Sequence, residues 1–323
     1  PPMAIFFPLF TLLEDSGYLP RIAYNLDRPF QCCKACGKQA LTMAMGFGCN
    51  AAGITGCRII DSPRERLIAM LTNNFIPCNG RLPLFITMIL IFLSGNTSGL
   101  FSSMISALLL TLFILLGNAM TFFTSYLLSA TVLKGVSTSF TLELPPYRKP
   151  QIGKVILRSI TDRTLFVLGR AAAVAAPAGL LIWIMANIAP ANISLLARFN
   201  HFLEPLGQLM GMDGVILTAF ILGLPANEIV LPVIIMSYTA QGTISNFENM
   251  VQLKELLLLH GWNWTTAICV LLFSLMHWPC STSLITMYKE TKSGFWTMIC
   301  ALLPAACGMI CCILFTAFTR FFI

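Results

Sequence analysis

The sequence predicts an all-α fold: a polytopic transmembrane helical protein built from two related repeats of inverted orientation, with broken or re-entrant helices. Three observations predict it. Of 323 residues, 57% are hydrophobic and only 10% charged, whereas a soluble domain carries about 25% charged residues. Four apolar segments are interrupted near their middles by proline, glycine and polar residues. Those interruptions recur in the same order in the two halves of the chain.

Taken in order, the first apolar stretch, MAIFFPLFTLL, is too short to cross a bilayer, which takes roughly 20 residues. With Pro1 as its first residue, the chain is expected to begin inside a longer protein. Leu100–Leu128 and Phe295–Phe318 have the pattern of uninterrupted spans, and Leu165–Ile188 is interrupted only by glycine and proline. The four broken segments are Ala40–Ile60 at GFGCN, Leu67–Leu93 at PCNGR, Val215–Tyr238 at LPANE and Thr265–Tyr288 at HWPCS. Half-segments of about a dozen residues reach roughly 18 Å, short of a hydrocarbon core of about 30 Å. Half-helices meeting at a break are therefore expected.

Pro8, Pro29, Gly46, Asn50 and Pro77 match Pro177, Pro205, Gly223, Asn227 and Pro279 in order, at intervals of 21, 17, 4 and 27 residues against 28, 18, 4 and 52. The expected organisation is a first membrane repeat over 1–133, a basic cytoplasmic linker with an interfacial segment over 134–163, and a second repeat over 164–323. Lys134, Arg148, Lys149, Lys154, Arg158 and Arg163 fall in the linker, and Arg21, Arg28, Lys34 and Lys38 in an earlier loop. The positive-inside bias assigns both to the cytoplasmic side. Lys289 and Lys292 follow the last broken segment, while 241–263 carries a single lysine. This is the charge pattern of inverted repeats, an architecture that places broken helices and their site near the bilayer midplane.

Unpaired backbone groups in lipid cost several kcal/mol each, so a break persists only where it is buried in protein or lines a wet cavity. Pro77, Gly80 and Pro83 are expected to unwind their helix and free carbonyls for a cation; Pro225 and Pro279 are the break prolines of the second half. Cysteines sit on three of the breaks, at Cys49, Cys78 and Cys280, and Glu228 is an acid inside an apolar segment. Intramembrane ionisable residues are functional by default, and sulfur with one carboxylate suits a borderline-soft divalent transition metal better than Mg²⁺ or Ca²⁺. Lipid-packed thiols are the alternative. Asn50, Asn79 and Asn227 are expected to satisfy broken backbone, His277 to pack or to ligate beside Cys280, and Arg81 to pair with carbonyls or with Glu228. Glu228 also suits a half-helix N-terminus, where the helix dipole favours negative charge. Cys32, Cys33 and Cys36 in CCKAC contain one CxxC, half of a metal or redox site with no second pair nearby. Cys300, Cys307, Cys311 and Cys312 are expected to be packing residues.

EDSGYLPRIAYNLDRPF, GFGCNAAGITGCRIIDSPRERL and NNFIPCNGRLPLF, with LGLPANEIVLP in the second half, resemble the membrane domain of the bacterial ferrous iron transport protein B family, whose signature is paired Gate modules. The resemblance implies uptake of Fe²⁺ across the bacterial cytoplasmic membrane, with Cys49, Cys78 and Cys280 lining the path. It implies Fe²⁺ as transported substrate with no permanently bound cofactor. Further implied partners are lipid, a GTPase domain in the same chain or a split one, a small FeoA-like protein and a second copy of the chain, but no nucleic acid. The sequence has no G-x-x-x-x-G-K-[ST] phosphate loop, since CGKQ at Cys36–Gln39 lacks the spacing and the hydroxyl. GTP and Mg²⁺ are therefore expected only on a separate N-terminal part, and this chain is expected to be no enzyme. A nucleoside-type or other divalent-metal carrier of Gate ancestry, and a membrane thiol redox or regulatory scaffold, are the competing expectations.

Overall fold

In the computed structural model, residues 2–94, 100–135, 153, 166–187, 194–239 and 250–322 are described; most of the expected linker 134–163 lies outside them. Among the described residues the fold is helical without strands. The helices are α1 Pro2–Asp15, α2 Tyr18–Cys32, α3 Lys38–Gly48, α4 Asn50–Gly56, α5 Pro63–Thr72, α6 Leu82–Met88, α7 Leu100–Ala130, α8 Phe166–Asn187, α9 Leu195–Leu209, α10 Gly214–Leu222, α11 Val230–Thr239, α12 Met250–Leu259, α13 Trp264–Met276, α14 Ser281–Thr291 and α15 Gly294–Phe322.

All four expected interruptions are present. Cys49 alone separates α3 from α4; residues 76–81 separate α6 from a short 3₁₀ turn, Asn73–Phe75, that follows α5. Residues 223–226 and a 3₁₀ turn, Asn227–Ile229, separate α10 from α11, and residues 277–280 separate α13 from α14. Pro83 departs from expectation: it lies in the first turn of α6 and starts the helix rather than unwinding it, because the first turn has no i−4 carbonyl for its missing N–H to serve. Among the described residues, three stretches are long and apolar enough to cross a membrane, Phe101–Ala130, Trp264–Thr291 and Gly294–Phe321, and a fourth if α9 and α10, bent by 110°, count as one.

The chain forms two compact units. The first comprises Pro1–Asn79, Leu116–Ala172 and Thr282–Leu302; the second comprises Gly80–Leu115, Ala173–Ser281 and Leu303–Ile323. In the first, α1 and α3 pack on α2 and α3 packs on α4; in the second, α9 packs on α10, α10 on α11 and α13 on α6.

Each unit contains one copy of the same small construction. In the first, Asp27 accepts from the Gly37 N–H (2.7 Å) and from Gln31 Nε2 (2.5 Å). In the second, Glu204 accepts from the Gly214 N–H (2.8 Å) and from Gln208 Nε2 (3.2 Å). A Cβ on Gly37 would fall on the Ala23 carbonyl, and one on Gly214 on the Asn200 carbonyl. The glycine thus lets the next helix start against the backbone of the one before, and the acid satisfies one of its N–H groups, which have no intrahelical partner. The breaks repeat too: Cys49 (φ −157°, ψ 124°) and Ala226 (φ −152°, ψ 122°) share one extended conformation immediately before an asparagine. The duplication inferred from prolines and glycines is carried by backbone geometry as well.

Candidate functional site

In the first unit the two breaks meet through asparagines. Asn73 Nδ2 donates to the Asn50 carbonyl at 3.1 Å. Asn50 lies 3.2 Å from the Asn74 side chain, and with its amide turned it donates to the carbonyls of Gly46 (3.2 Å) and Ile76 (3.3 Å). A Cβ on Gly53 would sit 2.5 Å from Asn73 Oδ1 and one on Gly46 2.9 Å from it, so both glycines make room for this amide. Cys49, Asn50, Asn73, Asn74, Pro77 and Cys78 are buried; Asn79 is half-buried. Cys49 N–H still bonds to the Met45 carbonyl (3.0 Å), and its own carbonyl accepts from Gly53 N–H (3.0 Å).

In the second unit three breaks meet. Arg81, only 1% exposed, donates from Nη1 to the Leu275 carbonyl (2.9 Å) and from Nη2 to the Trp278 carbonyl (3.5 Å). His277 places Nδ1 at 2.9 Å from the Ser274 carbonyl and Nε2 at 3.3 Å from Asn227 Oδ1, between the rings of Phe220 and Phe273. Ser281 donates its N–H to the Leu224 carbonyl (2.7 Å) and its hydroxyl to the Pro225 carbonyl (3.4 Å). A Cβ on Gly80 would lie 3.2 Å from Glu228 Cγ, so the Glu228 side chain passes over that glycine. Glu228 is exposed, Cys280 and Pro225 are half-buried, and Pro279, Asn227 and His277 are buried.

At these breaks the carbonyls of Asn50, Leu224, Pro225, Leu275 and Trp278 accept from protein donors. An orphan carbonyl in an apolar setting is too costly to keep in reserve. His277 is held by hydrogen bonds and aromatic packing. No group of three or more His, Cys, Asp and Glu placed to hold a metal occurs among the described residues.

Outside the breaks, Cys32 is exposed, Cys33 half-buried and Cys36 buried, all three free thiols. Burial pushes the Cys36 thiol up to about 12, the negative charge of Glu65 adding to it. Cys300 and Cys312 are buried within α15, Cys312 donating to the Cys269 carbonyl (3.4 Å). Three residues of the sites went unnoticed in the sequence. Asn73 and Asn74 lie three and two residues before the 76–81 break and enter the sequence reading only as part of NNFIPCNGRLPLF. Ser281 ends the HWPCS break, and nothing in its sequence context marks it as a donor to Leu224 and Pro225.

The Gate family model, described as nucleoside recognition, matches residues 1–92 and 168–294, and a second model, described as the ferrous iron transport protein B C terminus, matches 110–162. A Staphylococcus aureus protein named Fe(2+) transporter FeoB is 28% identical over the whole chain, which spans 47% of that relative. Proteins of the same name from Synechocystis (29% identical, 94% of this chain, 47% of the relative) and Methanocaldococcus jannaschii (27%, 90% and 43%) are also similar. The chain spans about half the length of these curated relatives. No solved structure matches.

Proposed function

We propose, for a chain that belongs to the Gate family in the form found in the membrane part of ferrous iron transport protein B, that it conducts Fe²⁺ across the cytoplasmic membrane. The observation that carries this is Cys49. It occupies the extended break position that Ala226 occupies in the other copy, where the sulfur is gone and a carboxylate, Glu228, follows two residues on. The two copies of one backbone thus carry a soft donor at the break in one and a hard donor two residues past it in the other, a pairing that suits a borderline divalent cation. Cys49, Cys78 and Cys280 engage the ion in sequence, each with water or an oxygen donor, and Glu228 attracts it. Binding stays weak enough for release.

Asn50, Asn79 and Asn227, with Pro77, Pro225 and Pro279, hold the breaks open without ligating. In the described chain the basic residues of the second unit are Arg81, Arg198, Lys254 and Arg320, whereas Arg21–Lys38, Arg58–Arg66, Lys289 and Lys292 belong to the first. That asymmetry supports a cytoplasmic face on the first unit. A GTP-binding domain in the remainder of the full-length protein, or a split partner, supplies gating, and the chain itself does no catalysis. CCKAC serves neither metal nor redox chemistry in this reading, since burial of its last thiol, Cys36, favours the protonated form. The FeoA-like partner and self-association proposed from the family carry no residue assignment.

Uptake of ⁵⁵Fe²⁺ by cells carrying the full-length protein tests this. Cys49→Ser, Cys78→Ser and Cys280→Ser should each slow uptake about tenfold or more, the scale of losing one metal-site interaction. Wild-type rates in all three would refute the thiol path. Inhibition by nucleosides instead of by Mn²⁺ or Zn²⁺ would favour the nucleoside carrier that the Gate description names.

A further inference from the structure

A cavity of about 810 Å³ in the second unit takes no part in the site above. Lys254, Arg320, Trp262, Trp264, Thr265 and Thr319 line it, with apolar residues beside them. Two of the unit's few basic side chains therefore converge on one hollow, and no acidic residue lines it among the described residues. Its depth in the membrane follows from the helices. Arg320 lies in the last turn of α15, whose candidate span ends at Phe321, and Trp264 opens α13, the start of another candidate span. The cavity is thus at a bilayer boundary, where tryptophans concentrate.

A second, smaller hollow of about 270 Å³ shares Arg320, Thr265 and Thr319 and adds the Thr266 and Thr316 side chains. Trp262 is fixed from behind: its ring stacks on Phe92 (5.9 Å) and its N–H donates to the Tyr238 hydroxyl (2.8 Å). Arg320 donates from Nη2 to the Gln208 carbonyl at 2.8 Å, and its remaining N–H groups are available to a further acceptor. Fixed aromatic walls, hydroxyls and two cations at the lipid–water boundary match one chemistry, a phosphodiester with acyl chains attached. We propose that this cavity binds the headgroup of an anionic phospholipid, with Arg320 and Lys254 on the phosphate, hydroxyls of Thr265 and Thr319 on its polar substituents, and the acyl chains leaving along the apolar rim.

The test uses the full-length protein in nanodiscs of phosphatidylglycerol or of phosphatidylcholine, read by native mass spectrometry of retained lipid. Wild type should retain phosphatidylglycerol, and Lys254→Gln should lower its retention about tenfold, the loss of one charge-assisted contact. Arg320→Gln removes the Gln208 contact as well, so Lys254→Gln is the decisive variant and a matching thermal melt in phosphatidylcholine shows that it folds. Equal retention of both lipids by wild type, or unchanged retention in Lys254→Gln, would overturn the proposal. Saturable binding of inorganic phosphate that phosphatidylglycerol fails to displace would also overturn it, by assigning the site to free phosphate.

Discussion

The two units hold their interrupted helices by different means. In the first, amides do the work: Asn73 and Asn50 bridge the breaks, on which Cys49 and Cys78 are both buried. In the second, a guanidinium and an imidazole bridge the breaks, while Glu228 stands exposed and Cys280 half-exposed. Neutral amides satisfy carbonyls at little electrostatic cost but leave no slack. A fixed arginine does the same for two carbonyls at once and adds a buried positive charge. The difference teaches that one duplicated backbone supports a tight thiol-lined cluster and an open, charged one.

The largest effect expected from breaking this comparison is at Arg81. Arg81→Met leaves the Leu275 and Trp278 carbonyls without their donor, at about 1–3 kcal/mol each. The thermal midpoint of the purified full-length protein should fall steeply, and Arg81→Lys should recover only part, since an ammonium lacks the planar fork. An unchanged midpoint in Arg81→Met would show that the guanidinium does not hold the second cluster.

Next comes Gly53→Ala in the first cluster. Its methyl group would press on buried Asn73 at 2.5 Å, an overpacking worth about 1–3 kcal/mol, and ⁵⁵Fe²⁺ uptake should fall with stability. Gly80→Ala in the second cluster meets only the flexible, exposed Glu228 side chain. Its stability should change by about 0.5 kcal/mol or less. Equal costs for the two alanines would erase the contrast between a tight cluster and an open one.

The smallest effect is one of reactivity. Alkylation by iodoacetamide followed by peptide mass spectrometry should label exposed Cys32 readily and Cys36 hardly at all. With its thiol raised to about 12 by burial, Cys36 carries a thiolate fraction of about 10⁻⁴ at pH 8, and only the thiolate attacks. Raising the pH from 7 to 9 should increase Cys36 labelling in proportion to hydroxide without saturating. Saturation near pH 8 would indicate an activated CxxC and revive the redox alternative.

Much of this was legible in the sequence because proline, glycine and asparagine act on the backbone locally. GFGCN, PCNGR, LPANE and HWPCS each mark a real interruption, within a residue or two. What the sequence hid is pairwise. Nothing in Asp27 or Glu204 announces that each reaches a glycine ten residues on, and Asn73 gains meaning only against Gly46 and Gly53. Pro83 misled because a proline starts a helix as readily as it ends one. Sequence shows which groups a break frees but not which distant donor takes them, as Arg81 takes the Leu275 and Trp278 carbonyls.

The central claim is that break cysteines hand the iron along. X-ray absorption at the iron edge, on anaerobically Fe²⁺-loaded full-length protein, examines the ligands themselves. A sulfur shell at about 2.3 Å, the usual metal–thiolate distance, should be present in wild type and shrink with each of Cys49→Ser, Cys78→Ser and Cys280→Ser. A shell of oxygen and nitrogen alone, identical in all four proteins, would contradict the account.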